Sequence, residues 1–250
     1  MDMEEILSIG AIIPARMSSR RLPGKVLMKL GDKPMLEWVV GAVLRSKVER
    51  VVVLVTPDPQ DGAILDVCNK LGVDFFVGSA NRDVLGDFYA VATTFGFDPV
   101  VRVTADCPLL SPLVINSVLN EYSMGCDYCS NIVTRTYPRG LDVEVLSYNA
   151  LEKIQRNVVH DPNEPDYRKH VTLYVRANPG MFVIHSVALN LSKFRLTVDT
   201  QDDYDKLTAM FTLMSDEPSW VQAAELANKF PEFALLEMPG MQTPALGKVW

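Results

Sequence analysis

Cysteine is scarce in this chain. Its four cysteines, Cys68, Cys107, Cys126 and Cys129, form no regular framework. That excludes a disulfide-stapled secreted scaffold and points to a reducing compartment. Cys126 and Cys129 have C-x-x-C spacing, but no second pair and no H-x-x-x-H completes a zinc set, so they read first as small buried side chains. No apolar stretch is long enough to cross a bilayer. No basic region precedes the first apolar run, as a secretory leader would require. A cytoplasmic protein without a membrane partner is therefore expected. Positive charge is also short: 24 Lys and Arg against 31 Asp and Glu leave a formal charge of −7. This argues against a nucleic-acid binder working by bulk charge. Internal repeats and low-complexity tracts are missing too. With 250 residues, 48% of them hydrophobic, the chain has ample material for a core. No break in composition marks a second domain, so residues 1–250 read as one domain, with 215–250 supplying a C-terminal helix and an irregular tail.

What is present is an alternation of strands and helices. The near-continuous apolar run Ile6–Ile13 suits a strand buried on both faces. Pro34 can open a helix at its first position, and apolar residues follow at helical spacing to Leu44. Arg50–Val55 reads as a strand, Ala63–Leu71 as a helix ending at Gly72, Val73–Val77 as a strand, Val84–Phe95 as a helix and Pro99–Thr104 as a strand. Ser111-Pro112 caps and starts another helix. The regularity then loosens. Tyr128–Val133, Val143–Leu146, Phe182–Val187 and Arg195–Val198 read as strands. Helices are predicted over Tyr148–Arg156, Tyr167–Arg176, from after Asp203 to about Met214, and over Trp220–Phe230. The polar stretch Asn157–Asp166 reads as a mobile loop. The fold class is α/β: a regular three-layer first half and a more mixed second half. Ligands in such sheets lie beyond the carboxyl ends of the strands.

One loop in that position concentrates the scarce positive charge. Arg16, Arg20, Arg21 and Lys25 follow the first strand, with Pro23-Gly24 forcing a turn before the lysine. Arginine offers a planar fork to phosphate oxygens and lysine a compact charge, so a polyanion is the expected occupant. Asp106 and Asp199 each end a strand. Two such carboxylates can hold Mg²⁺ while phosphates and water complete its octahedron. Each could equally cap the helix after it, but the cationic loop favours the metal, because phosphate chemistry needs both parts. Arg139-Gly-Leu-Asp-Val-Glu144 places Asp142 and Glu144 on one face of a strand, where they could grip a second substrate or guard an exposed edge. Gly78–Val84 could set Ser79 and Arg82 against a base or ribose, or form a plain loop with Asp83 as a cap. Arg102, mid-strand, must find a partner. His170, with Arg168 close by in sequence, can donate to an anion.

These residues carry a resemblance. The pattern A-R-x-x-S-x-R-L-P-G-K is met at Ala15–Lys25, R-[IV]-T-x-D-C-P at Arg102–Pro108, T-Y-P-R-G-L-D-V-E-V at Thr136–Val145, H-V-T at His170–Thr172 and T-V-D-T at Thr197–Thr200. The chain thus resembles the cytidylyltransferases that activate acidic sugars, and within them the spore coat polysaccharide biosynthesis protein F branch, from about Ile9 to Leu213. The resemblance implies a three-layer nucleotide-diphospho-sugar transferase fold, GT-A-like and Rossmann-like, with a mixed sheet. It also implies Mg²⁺, CTP, transfer of CMP to an acceptor and release of pyrophosphate, for surface polysaccharide or glycoconjugate biosynthesis. Related enzymes hold the triphosphate in the first loop, here Ala15, Arg16, Ser19, Arg21 and Lys25, and the metal on the aspartates matching Asp106 and Asp199. Arg16, Lys25, Asp106 and Asp199 are then the catalytic set, and Asp106 also faces the nucleotide. Arg139, Asp142, Glu144, Arg168 and His170 are the acceptor candidates, and the acceptor is expected to be an anion. Relatives are commonly dimers, so a homodimer is expected. Ala105 departs from the glycine most relatives carry before the aspartate. Two other readings stay open at this point: a glycosyltransferase of the same fold using Asp142-x-Glu144, and a catalytically silent nucleotide-binding subunit.

Overall fold

Three consecutive residues, Ala11, Ile12 and Ile13, have no accessible surface, and the sheet explains why. They lie in β1 (Ser8–Pro14), which is flanked on both sides by parallel strands, β4 (Arg50–Val55) and β6 (Phe97–Arg102). Side chains alternate across a strand. Ala11 and Ile13 therefore join one core with α1 (Met35–Leu44), α2 (Gly62–Leu71) and α4 (Pro112–Glu121), and Ile12 joins another on the opposite face. That second core is built by α3 (Val84–Phe95), α5 (Tyr148–Asn157), α6 (Glu164–Lys169) and α7 (Leu173–Ala177). The molecule, seen in a computed structural model that describes residues 7–81, 83–123, 125–188, 194–230 and 233, is thus three-layered, as the alternation of elements predicts.

Among the described residues the sheet runs β5 (Asp74–Val77), β4, β1, β6, β8 (Glu144–Leu146), β7 (Tyr128–Ser130), β9 (Ile184–Ser186). It is parallel from β5 to β6, and β8 then runs antiparallel to both β6 and β7. The chain moves outward from β1 to β4 and β5 and returns on the other side of β1 as β6. The order reverses between β1 and β6, which places a ligand crevice beyond their carboxyl ends. The cationic loop leaves β1 there, and the segment 103–108 leaves β6 there. A hairpin of β2 (Lys29–Leu30) and β3 (Lys33–Pro34) follows the loop. It is braced by α8 (Gln201–Leu213) and α9 (Trp220–Lys229) through a third apolar cluster that includes Leu22, Leu30, Val198, Leu207 and Ala223.

Several boundaries move. β6 starts and ends two residues earlier than its apolar run suggests. Pro34 stands at the cap of α1, not inside it, and the Ser111 side chain makes no capping bond to α4. The helix expected over Tyr167–Arg176 breaks at His170 into α6 and α7, so that Tyr167 and Tyr174 can both enter the same core. The end of the expected loop Asn157–Asp166 is helical, since α6 starts at Glu164. The strand expected over Arg195–Val198 shrinks to a single bridge between Arg139 and Arg195.

That bridge explains Gly140. The Leu196 N–H donates to the Arg139 carbonyl at 2.6 Å, and the Arg139 N–H donates to the Phe194 carbonyl at 3.2 Å. Gly140 has φ +99°, and a Cβ there would lie 2.5 Å from the backbone carbon of Leu196. Only glycine lets the two backbones meet this closely at that φ. Gly140→Ala should therefore cost about 2–4 kcal/mol of stability, backbone strain and overpacking together. Urea unfolding measures it; a loss under about 0.5 kcal/mol would match an ordinary surface substitution and contradict the packing.

Candidate active site

The cationic loop is built before it is charged. Asp61, 1% exposed, accepts from the Met17 N–H at 2.7 Å, the Thr56 N–H at 3.0 Å and the Thr56 hydroxyl at 2.6 Å. A buried carboxylate holding three donors pins the loop's start to the end of β4. The Ser19 and Gly24 N–H groups both donate to the Met17 carbonyl, at 2.9 and 2.8 Å. Gly24 has φ +73°, in the left-handed region, and turns the chain into a single 3₁₀ turn, Lys25–Leu27. The Ala15 N–H donates to Leu54. The amides of Ala15, Met17 and Ser19 are thus already committed within the protein, while the side chains of Arg16, Arg20 and Arg21 stand exposed.

Lys25 turns inward. Its ammonium donates to Asp106 Oδ2 at 2.7 Å, to the Val198 carbonyl at 2.7 Å and to Asp199 Oδ1 at 3.2 Å. Asp199 also accepts from Arg21 at 2.7 Å and, through its other oxygen, from Arg195 at 2.8 Å. Arg195 in turn pairs with Asp203, whose second oxygen accepts the Asp199 and Thr200 N–H groups at 2.9 Å each as part of the capping box of α8. The Val198 N–H and the Thr197 hydroxyl reach the Asp106 carbonyl at 3.0 and 3.1 Å. Three segments far apart in sequence therefore meet at one ammonium. Burial opposes the Lys25 charge, but Asp106 and Asp199 outweigh it and raise its pKa above the ordinary lysine value. Burial likewise opposes the Asp199 charge, and Lys25 and Arg21 outweigh it and hold its pKa below the ordinary range.

A second charged cluster lies where β6 meets β8. Arg102 stands directly opposite Glu144 in register and pairs with it; this is the partner a mid-strand arginine needs. Glu144, 1% exposed, also accepts from the Tyr128 hydroxyl at 2.6 Å. Burial alone would raise its pKa, but Arg102 and then Arg176 reverse the shift. His170 is shifted down, first by burial and then by repulsion from Arg102, with Arg176 adding to it. The Nε–H groups of both Arg102 and Arg176 are buried without a hydrogen-bond acceptor, which is unusual for buried donors.

The other predicted residues fall in distinct places. Asp142 accepts a two-pronged pair from Arg135, at 2.8 and 2.9 Å. Arg139 is half-buried beside the bridge to Arg195. Arg168 reaches Asp83, the cap of α3, at 3.2 Å and Gln155 at 2.5 Å, and also pairs with Glu164. The structure thus brings His170 to Arg102 and Arg176, and Arg168 to the joint between α3 and α6. Ser19 Oγ accepts from the Leu22 N–H at 3.4 Å. Ser79 is anchored through its N–H to Asp87 at 2.8 Å, and its hydroxyl is buried without a partner. Arg82 lies outside the described residues. Sequence reasoning missed Asp61, Arg176 and Arg195. Asp61 sits in a Pro-rich turn that reads only as a loop, and Arg195 is hidden in what reads as a strand. Arg176 follows the H-V-T segment at helical spacing and could have been grouped with His170.

As a metal site the donor set is sparse. Among the described residues no three His, Cys, Asp or Glu side chains cluster to cage an ion. Two carboxylates flanking one position fit a cation such as Mg²⁺ that keeps water and takes phosphate oxygens.

Comparison with known proteins agrees with this geometry. The cytidylyltransferase family profile matches residues 10–238. The Bacillus subtilis spore coat polysaccharide biosynthesis protein SpsF is 33% identical over 89% of this chain and 95% of its own. A 3-deoxy-manno-octulosonate cytidylyltransferase of Pseudomonas fluorescens is 40% identical over 43% of this chain and 42% of its own. A solved cytidylyltransferase structure from Leptospira borgpetersenii superposes with a TM-score of 0.84 and 31% identity, covering 93% of this chain and 98% of that one.

The Glu144 cluster makes a stability prediction. Glu144→Gln keeps the shape but leaves Arg102 and Arg176 without their counter-charge, and should cost about 3 kcal/mol near neutral pH. A carboxylate whose pKa is depressed on folding contributes stability above its unfolded pKa, about 4.3, and loses it as pH falls through the folded value. The gap between wild type and variant should therefore close as the pH falls below about 4. Chemical denaturation across pH checks this; a gap that stays constant down to pH ~3 would contradict it.

Proposed function

The chain belongs to the cytidylyltransferase family, and we propose that it is a CTP-dependent nucleotidyltransferase that transfers CMP to an acidic sugar or related anionic acceptor and releases pyrophosphate. Surface polysaccharide or glycoconjugate biosynthesis is the setting that the similarity to SpsF supports. The observation that carries the reading is the meeting of Lys25, Asp106 and Asp199 at the switch point of the sheet, under a loop that exposes Arg16 and Arg21.

In this reading Arg16, Arg21 and Lys25 neutralise the triphosphate and the leaving pyrophosphate. Asp106 and Asp199 would hold Mg²⁺, which when bound screens the phosphates and polarises the α-phosphate. The unpartnered Ser79 hydroxyl supplies a hydrogen bond to the nucleoside. Arg102, Arg176 and His170 receive the acceptor's anionic group, next to two buried Nε–H donors that have no acceptor within the protein. Glu144 and Asp142 act by fixing Arg102 and Arg135, whereas Arg168 is committed to Asp83 and Glu164 and the Arg139 backbone to the bridge with Arg195, so neither is assigned to the acceptor. The acceptor is thereby oriented for in-line attack, and catalysis is positioning and electrostatics without a covalent enzyme intermediate. We further infer a cytoplasmic homodimer.

Asp106→Asn removes one of the two carboxylate charges and should cut pyrophosphate release from CTP and an acidic-sugar acceptor by at least about a hundredfold in a folded protein. Near wild-type release would refute the assignment of Asp106. Arg176→Ala should raise the acceptor KM about tenfold or more while leaving the CTP KM unchanged, since a charge-assisted contact is worth about 1.5–3 kcal/mol. An equal rise in both constants, or a neutral sugar proving the best acceptor, would place the anion elsewhere.

A further inference from the structure

The Lys25 ammonium has three N–H donors, and all three are spent: on Asp106, on Asp199 and on the Val198 carbonyl. A lysine so committed has none left for a phosphate. It also occupies the position between the two carboxylates where a divalent cation would sit. Asp199 is closed further, because Arg21 shares Oδ1 and Arg195 holds Oδ2. The open carboxylate oxygen is Asp106 Oδ1, whose polar neighbour is the Cys107 thiol at 3.6 Å.

We propose that Lys25 serves as an internal stand-in for the divalent cation: it fills the metal position in the nucleotide-free protein and moves to the phosphates when nucleotide arrives, so that the metal enters only with nucleotide. The inference rests on the nucleotidyltransferase reading above and adds an order of events to it. An ammonium and a divalent ion cannot share two carboxylates at hydrogen-bond range without strong like-charge repulsion. A triphosphate offers the ammonium a new set of acceptors, and the four-carbon stem of lysine lets the charge swing while its Cα stays fixed in the 3₁₀ turn. Metal and nucleotide then favour each other's binding through one side chain, and the coupling must be equal in both directions. In the resting state the same ammonium neutralises two half-buried carboxylates that would otherwise repel each other across the crevice.

The test uses the full chain without nucleotide and Mn²⁺ as the probe, with free Mn²⁺ counted by electron paramagnetic resonance. Wild type should bind Mn²⁺ weakly. Lys25→Met should tighten binding about tenfold or more, because a directly competing charge is gone. Lys25→Gln, which keeps a polar side chain but no charge, should do the same and covers the case in which the methionine variant does not fold. Lys25→Arg keeps the charge and should stay weak. Mn²⁺ binding by folded Lys25→Gln that is no tighter than wild type overturns the proposal, as does tight binding by wild type alone. Neither readout measures pyrophosphate release, which Asp106→Asn tests separately, so a failure here is distinct from a failure of the proposed reaction.

Discussion

One ammonium holds the centre of this protein together. Lys25 ties the loop after β1 to the end of β6 and to the residue before α8. Burial alone would make such a group costly, since a desolvated charge is tolerated only with partners in good geometry. Here the partners are two carboxylates and a carbonyl, and they more than offset the penalty. The two shifts define a wide pH window. Asp199, depressed on folding, contributes stability above the ordinary carboxylate range and loses it as pH falls through its lowered pKa. Lys25, raised on folding, contributes below the ordinary lysine value of about 10.4 and loses it as pH rises beyond. Between those limits the Lys25–Asp199 pair contributes its full stabilisation.

The rest of the architecture delivers the three segments to that point. Parallel strands around β1 give two loops a common exit, and Asp61 fixes the first of them from β4. The third segment needs more help, because 194–199 is not part of the sheet. It is carried by the glycine contact at Gly140, by the backbone pair between Asp106 and Val198, and by the apolar side of α8 and α9. Arg195 then locks Asp199 to the first turn of α8 through Asp203. The capping box of α8 and the Asp199 carboxylate are thus one network: Thr200 and Asp203 make the cap, and Asp199 is free of that task.

Legibility in the sequence followed the kind of signal involved. Strands buried on both faces and helices with an apolar stripe were readable to within two residues through α4, because burial imposes period and composition directly. The convergence of Lys25 with Asp106 and Asp199 was readable in part, since each ends a strand or follows one. Long-range pairing was not. Nothing local says that Asp142 is matched with Arg135, that Arg168 serves Asp83, or that Glu144 faces Arg102. The last of these depends on the antiparallel register of β6 and β8, and a shift of one residue would have put Glu144 on the other face. The segment Arg195–Val198 misled for a related reason. Its alternation of apolar residues is real, with Leu196 and Val198 buried, but they face the helices of the C-terminal cluster, not a neighbouring strand.

The mixed half of the sheet has a purpose that the parallel half cannot serve. A purely parallel sheet sends every loop to the same end through a helix, and its strands carry apolar residues on both faces. By running β8 backwards beside β6, the chain brings a carboxylate directly across from Arg102 inside the sheet. That carboxylate can neutralise the arginine from below and leave part of its guanidinium turned away. Nearby, burial and then repulsion from Arg102 shift the His170 pKa down. The result is two cationic centres of different character. One, at Lys25, is saturated with acceptors. The other, at Arg102 and Arg176, is already short of acceptors, with two buried Nε–H groups unpaired. The first has every donor of its ammonium committed, whereas the second keeps two buried donors without an acceptor. The two centres therefore differ in how their positive charge is compensated, within a chain whose overall charge is negative.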